Sequence, residues 1–520
     1  MTALLRWLRH SLALLRIGFL LARADVLFPL ERMPGFPVML WIIRRLCPPA
    51  AAVRGMRPGQ RLAWALQRLG PSFIKLGQAL SIRSDLIGET AATDLSSLQD
   101  RLPPFPGALA RTVIEAELGQ PLEILFARFD EEAYAAASVA QVHFAETPDG
   151  RRVAVKVLRP GIEAAFARDL DLFLWLAQGL EALVAQSRRL RPIDVVGQLA
   201  QSVALEMDLR YEAASASELA ENFRGDACFR VPKVDWERTS RRVITTERVD
   251  GIPIGDKPAL IAAGHDLRAI VTNAATFFFN MVLRDSFFHA DLHPGNLFVA
   301  VDGAIVAVDF GIMGRIDRKH RVYLADLLTG FLTGDYKRVA EVHFEAGFVP
   351  ATESVEAFTL ACRSIGEPLM GRPMAEISVG RLLSQLFQIT HQFNMETQPQ
   401  LLMLQKTMVL AEGVGRNLDD TSNMWVLTQP LIEDWMIANR SPPARVMETL
   451  AGLLKSLERL PAVIAATERL VLNATANGIS LHPETVKAVS GGARGGRLAW
   501  PLWVIAALIA VAMIHGWHGS

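Results

Sequence analysis

The chain has 520 residues, 51% of them hydrophobic and 21% charged, and its 54 basic side chains balance its 54 acids. That excludes a disordered or collagen-like chain and leaves no global basic excess, so no nucleic-acid partner is expected. The length allows roughly two to four domains. Cys47, Cys228 and Cys362 lie too far apart for Cys-x-x-Cys chemistry, which points to a reducing compartment and no thiolate metal site. Only nine basic residues are Lys, so a lysine inside a motif hints that a compact ammonium is needed there.

Residues 1–70 carry eleven Arg against two acids, Asp25 and Glu31. Arg9, Arg16 and Arg23 are seven apart and fall on one stripe of a helix, with Leu8, Leu12, Leu15 and Leu20 on its other faces. This predicts a basic amphipathic helix on an anionic membrane surface. An ordinary packed helix with its arginines in water and a removable transit peptide stay open as alternatives. From Arg61 to about Phe126 the apolar spacing is helical, broken at Pro71 and at Pro103-Pro104-Phe105-Pro106.

Strand signals then dominate from Ala133 to about Gly251. Val139–Phe144, the turn Thr147-Pro148-Asp149-Gly150, and Val153–Val157 read as a hairpin. Helices are expected over about Ile162–Ser187 and then through Glu206 to Phe223, and a further strand over Arg242–Arg248. After Gly251 the pattern is helical again, interrupted once by a second hairpin, Leu297–Val301 and Ala304–Val308, around Asp302-Gly303. Helices are expected over most of 318–490. A small sheet-containing lobe before a larger helical lobe is an α+β, bilobal order with a cleft between. Near the end, Leu498–Ile514 is a run of seventeen uncharged residues with Trp500, Trp503 and Trp517 about its ends and Arg494 and Arg497 before it. It predicts a C-terminal membrane anchor, spanning or re-entrant, with the soluble body on the cytoplasmic side. The expected divisions are 1–70, a basic membrane-associating region; 71–126, a helical extension; 127–251, the first lobe; 252–440, the second; 441–497, C-terminal helices; and 498–515, the anchor.

The chemistry gathers around the second hairpin. His289-Ala290-Asp291-Leu292-His293-Pro294-Gly295-Asn296 precedes it and Asp309-Phe310-Gly311 ends it. A carboxylate five residues before an amide, with a second carboxylate thirteen further on, is the spacing of a kinase catalytic loop and metal-binding turn. Phosphoryl transfer asks little covalent help of a protein but needs Mg²⁺ held against the phosphates by oxygen ligands. Asn296 and Asp309 would supply those oxygens, and Asp291 would orient or deprotonate the attacking hydroxyl. His289 and His293 lack partners at zinc-like spacing and read as hydrogen-bonded support of the loop. Lys156, in Val153-Ala154-Val155-Lys156, matches the strand lysine that grips the nucleotide phosphates and pairs with a helix acid. Glu206, Asp208 and Glu212 are the candidates for that acid; spacing does not decide, and Glu212 is favoured. Thr246-Glu247-Arg248-Val249-Asp250-Gly251 would be the hinge that meets adenine, through Glu247 and Val249.

Two departures from protein kinases stand out. Ala135-Ala136-Ala137-Ser138 occupies the place of a Gly-rich phosphate loop, and alanine limits positive φ. Ala290 replaces the usual Arg, and a helix beginning by about Asp317 leaves little chain for a peptide platform. A small-molecule kinase or ATPase is expected over a protein kinase.

Together these residues resemble the UbiB/ADCK family of atypical kinase-like proteins, tied to ubiquinone biosynthesis. The resemblance rests on Lys75-Leu76-Gly77-Gln78 after Pro71-Ser72-Phe73-Ile74, the alanine loop before Ser138-Val139-Ala140-Gln141-Val142-His143, Glu206-Met207-Asp208, and the two loop motifs above. It covers about residues 20–420. It implies a helix bearing Lys75 and Gln78 across the cleft near Glu206 and Asp208, in space a peptide substrate would need. It also implies that Ala133 to Gln141 (Ala135, Ala136, Ala137, Ser138, Val139 and Ala140 among them) cover the phosphates of ATP or ADP. By the same resemblance Lys156 holds those phosphates, Asp291 accepts a proton, and Asn296 and Asp309 bind Mg²⁺. The expected partners are anionic membrane lipid, polyprenylated quinone precursors and other ubiquinone-biosynthesis proteins; a homodimer stays an open option. The family is expected to run an ATPase cycle at the bacterial inner membrane. A non-catalytic nucleotide-gated scaffold is the second reading. A flavin hydroxylase ranks last, because no Gly-x-Gly-x-x-Gly follows a strand.

Overall fold

A computed structural model describes residues 3–26, 45, 47–81, 87–96, 98, 102–183, 191–368, 389–390, 392–395, 399–421, 427, 430–431 and 433–435. They belong to the first of two compact units, Met1–Ile437 and Ala438–Ser520. The helices expected over 441–497 and the anchor expected over 498–515 lie outside the described residues. Among those residues no helix is long and apolar enough to cross a membrane.

The first helix, α1 (Ala3–Arg23), corrects the uniform arginine stripe. Arg6 and Arg9 both bond Asp171, and the buried His10 reaches the same carboxylate at 3.1 Å. Arg16 and Arg23 stay exposed. A carboxylate on a neighbouring helix thus ties Arg9, one of the three stripe arginines, to the protein. Trp7, Leu8, Leu12, Leu15 and Phe19 remain exposed, while Leu20 packs into the core.

The helical extension comprises α2 (Pro58–Leu69), α3 (Pro71–Ser81), α4 (Glu89–Ser96), α5 (Gly107–Leu118) and α6 (Leu122–Leu125). Proline opens α2 and α3 where a missing N–H costs nothing. Gly70 between them has φ 116°, a conformation that favours glycine, so the break at Pro71 is a real corner.

Strands β1 (Arg128–Phe129), β2 (Ala135–Ala136), β3 (Ala140–Glu146), β4 (Arg152–Leu158) and, later, β6 (Val243–Glu247) make the sheet of the first lobe, in order β1-β3-β4-β6 with β2 on β3. All its pairings are antiparallel. Side chains alternate along β4. Val153, Val155 and Val157 bury against Val113, Ile114 and Leu125 of α5 and α6. Leu158 and Ile244 face the other way, into a core built with Phe73 and Ile74 of α3. That core also holds Phe166 and Phe173 of α7 (Ile162–Leu183), Leu199 and Val203 of α8 (Pro192–Glu206), and Ala213 of α9 (Leu209–Asn222). The sheet is sandwiched, and α3 is built into the lobe.

The single helix expected through Glu206 is two. It breaks at Met207-Asp208, where the Asp208 side chain accepts from Arg210 N and starts α9. After Gly251 short strands replace parts of the expected helical region: β7 (Ile252–Pro253), with the earlier β5 (Phe229–Arg230), flanks the expected hairpin β9 (Leu297–Val299)–β10 (Ile305–Ala307), and β8 (Phe287–His289) pairs with β11 (Met313–Arg315). Runs of two or three residues are too short to show alternation. The second lobe is otherwise helical: α10 (Lys257–Ala262), α11 (Leu267–Phe279), α12 (Arg318–Thr333), α13 (Tyr336–Glu345), α14 (Val355–Gly366) and α15 (Pro399–Leu418). A π-helical turn, Asn280–Arg284, joins α11 to β8.

Candidate active site

Lys156 sits in β4 between Val142 of β3 and Ile244 of β6. Its neighbours Val155 and Val157 point into the α5–α6 core, so alternation sends Lys156 to the opposite face. There Nζ donates to Glu212 Oε1 and Oε2 at 2.8 and 2.9 Å, and to Asp309 Oδ1 at 2.7 Å. Burial opposes the ammonium's charge, but the two carboxylates outweigh it and hold its pKa above the ordinary lysine value. Burial, and then the Asp309 charge, push Glu212 up to about 7 in spite of Lys156. Asp309 goes the other way: burial works against it, but the Lys156 charge prevails and holds it low, at about 2. Of the three candidate acids, Glu212 alone meets Lys156. Glu206 instead pairs with Lys75 at 2.6 Å, both side chains about nine-tenths buried. Asp208 caps α9 and is held low chiefly by its bond to Arg210. Gln78 lies one helical turn beyond Lys75 on the same face of α3.

The alanine segment is a tight hairpin. Ala135 and Ala136 pair with Val142 and Gln141, and Ala137 N donates to Ala140 O at 2.8 Å. Ala133 sits just before β2, half-buried. Arg159 pins the tip, bonding Ala137 O at 2.8 and 3.0 Å and Pro103 O at 2.9 Å. Ser138, Val139 and Ala140 are buried. The Gln141 amide is engaged at both ends: Oε1 accepts from Phe105 N, while Nε2 lies 3.1 Å from Phe105 O and 2.8 Å from His143 Nε2. Its side chain therefore braces the hairpin against the proline segment, where contact with a ligand was expected. At the hinge, Glu247 is exposed with its N–H donated to Lys233 O, and Val249 packs on Ala300, Ala304 and Val306. A Cβ on Gly251 would come within 2.9 Å of Val299 O, so the hinge passes too close to β9 for any other residue.

In the second lobe, β8 delivers the loop that begins at His289. Asp291 N donates to His289 Nδ1 at 3.1 Å, which leaves the ring proton on Nε2, 3.4 Å from Val308 O. Burial pushes His289 down, so it is a neutral strut. His293 Nδ1 accepts from Gly295 N at 3.1 Å. Asn296 Nδ2 donates to Asp291 O at 3.2 Å, and Asn296 O accepts from Val308 N at 2.9 Å. These bonds tie Asp291, Asn296 and the strand before Asp309 into one unit. Asp309 adopts φ 63°, a left-handed conformation that costs a non-glycine residue energy and here aims its carboxylate at Lys156. A Cβ on Gly311 would lie 3.4 Å from Asp309 Oδ1 and 3.8 Å from Glu212 Oε2, so glycine keeps room beside both carboxylates. Asn296 Nδ2 is spent on the loop, which leaves its Oδ1 as the end that can face a cation, and amide and carboxylate oxygens suit Mg²⁺. The donor set fits that ion.

Two contributors escape sequence reasoning. Arg159 anchors the alanine hairpin from the end of β4. Lys406, on α15, donates to Asp291 Oδ1 at 3.0 Å across 115 residues of chain. The scarcity of lysine was the available signal for Lys406; no local motif surrounds it.

Residues 97–343 match the family model of the ABC1 atypical kinase-like domain, and residues 362–423 that of the UbiB helical domain. Among curated proteins, a "Probable protein kinase UbiB" of Marinobacter nauticus is 43% identical over 443 residues, covering 84% of this chain and 79% of its own. Its namesakes in Azotobacter vinelandii and Pseudomonas entomophila are 42% and 40% identical, over 81% and 89% of this chain and 78% and 86% of theirs. A solved structure described as the complex of Rv3197 with erythromycin from Mycobacterium tuberculosis is similar in fold, with TM-score 0.51 at 23% identity, over 76% of this chain and 98% of that one.

Proposed function

The chain belongs to the UbiB family of atypical kinase-like proteins, and on that premise we propose that it is a magnesium-dependent ATPase or phosphotransferase. It supports ubiquinone biosynthesis at the bacterial inner membrane, acting on or giving access to polyprenylated phenol intermediates. The observation that carries this reading is the meeting of Lys156, Glu212 and Asp309 within 2.9 Å, beside a loop holding Asp291 and Asn296. In this reading Lys156 grips the nucleotide phosphates while Glu212 keeps it in place. Asn296 Oδ1 and Asp309 would hold Mg²⁺, and the ion would supply charge neutralisation at the nucleotide phosphates. Asp291 orients the attacking oxygen and takes its proton. Only β11 and the Asp317 cap separate Gly311 from α12, which leaves little chain to seat a peptide and favours water or a small acceptor. The exposed apolar face of α1, flanked by Arg16 and Arg23, suits an anionic lipid surface.

A second reading, a nucleotide-gated scaffold without turnover, draws on the alanine hairpin, whose paired backbone stands where kinases use glycine. One comparison separates the two: phosphate release by the purified full chain with anionic lipid vesicles, wild type against Asp309→Asn, joined to lipid profiles of a deletion strain carrying either gene. The expected result is magnesium-dependent release that Asp309→Asn reduces at least about a hundredfold, with precursor lipid accumulating in that strain. Equal release rates would leave the scaffold; unchanged ubiquinone on deletion would remove the pathway.

A further inference from the structure

We propose that Lys406, carried by α15, is a catalytic residue that binds the γ-phosphoryl group from the side of Asp291. The inference rests on the ATPase reading and adds to it a cation drawn from outside the kinase-like domain. The catalytic loop has no cation of its own: His289 is neutral, and His293 Nδ1 is an acceptor. Lys156 is shared between two carboxylates and Lys75 is paired with Glu206. Lys406 Nζ touches one oxygen, Asp291 Oδ1, and about a third of its side chain is exposed, so it has donors to spend on a ligand.

The helix that carries it is held against this loop. Leu404, Val414 and Leu418 of α15 pack in one core with Leu292, the residue after Asp291, and with Val271, Ala275 and Phe277 of α11. Thr407 beside it is fully buried, its hydroxyl donated to Met403 O. An apolar seat next to Asp291 thus fixes the stem whose tip reaches that carboxylate. By holding Oδ1, Lys406 leaves Oδ2 as the proton acceptor. The attacking oxygen bonds to the γ-phosphorus, its proton passes to Oδ2, and the bond to the β-phosphate oxygen breaks with its electron pair leaving on ADP. Charge on the equatorial oxygens develops next to Asp291, where the ammonium stands ready to offset it.

The test compares two probes, AMP-PNP and ADP, each titrated with Mg²⁺ into full-length wild type, Lys406→Met and Lys406→Gln, alongside ATP turnover with anionic vesicles. A cation that touches the third phosphate is lost to AMP-PNP alone. Both variants should bind AMP-PNP at least about tenfold more weakly while ADP affinity stays within about twofold, and turnover should fall further than AMP-PNP binding does. An AMP-PNP to ADP ratio equal to that of wild type would overturn the assignment, as would a parallel loss of both nucleotides, which is the mark of a merely structural lysine. Because Gln keeps a polar tip, a folding defect of the Met variant does not decide the result. If wild type binds neither probe, the ATPase reading and the assignment of Lys406 fall together. If it binds both and the ratio does not change, Lys406 alone is rejected.

Discussion

At Glu212, burial and a neighbouring charge compete with an ammonium 2.8 Å away, and protonation is the outcome that shows which prevails. The folded carboxyl sits at about 7 against an ordinary 4.5, so between those values the native state holds a proton the unfolded chain has released. Wherever the native state binds more protons, stability falls as pH rises. The wild type should therefore lose stability relative to Glu212→Gln, whose amide does not titrate, as pH rises from about 4.5 to about 7. Urea midpoints of the two proteins across that range check the sign. A constant difference would mean that Lys156 compensates Glu212 fully. The residues of this corner differ in how far they could be read from sequence. Asp291, Asn296 and Asp309 are set by a hairpin, so their mutual intervals carry the geometry. Glu212 meets Lys156 across a helix break that no periodicity announced, and Lys406 reaches Asp291 only through the packing of α15.

Elements long enough to repeat a pattern were legible; of those of two or three residues, the hairpin β9–β10 was, because the Asp302-Gly303 turn marks it. The hairpin β3–β4 fell within two residues of its expected limits because alternation runs its whole length. β7, β8 and β11 have no pattern of their own and exist because the backbone of one lobe closes on itself. The helix α1 was legible as amphipathic but not in its partners, since Asp171 is remote in sequence. Its outward face now gives a sharper expectation than its charge did. Leu12 and Leu15 are 68% and 71% exposed, so replacing both by Glu should leave the fold intact. Each leucine inserted into a lipid interface is worth about 1.5–3 kcal/mol, so the doubly substituted chain should bind anionic vesicles at least about a hundredfold more weakly. Co-sedimentation with vesicles, at matched salt and with thermal unfolding as control, measures it. Undiminished binding would assign the lipid contact elsewhere in the chain.

Across the molecule, residues from three stretches of chain converge: the extension supplies Lys75, the first lobe Lys156, Glu206 and Glu212, and the second lobe Asp291, Asn296, Asp309 and, from α15, Lys406. The lobes follow the order in which strand and helix patterns alternate, whereas the joins between stretches depend on single long-range pairs. Lys75–Glu206 is the join that fastens the extension, because both partners are almost fully buried and stand 2.6 Å apart. Removing one member of such a pair leaves the other as a desolvated charge, at a cost of about 3–5 kcal/mol, while removing both costs much less. Lys75→Met and Glu206→Gln should each lower the unfolding midpoint of the chain, and the double variant should be more stable than the Lys75→Met single. Apolar packing of Phe73 and Ile74 holds α3 in the same core regardless, so the extension should stay docked in the double variant. Limited proteolysis of the extension, read alongside the unfolding midpoints, reports how often it opens. Accelerated cleavage in the single variants with near wild-type resistance in the double one is the expected pattern. Additive losses in the double variant would mean that Lys75 and Glu206 contribute separately, and that the extension is fastened by its apolar face alone.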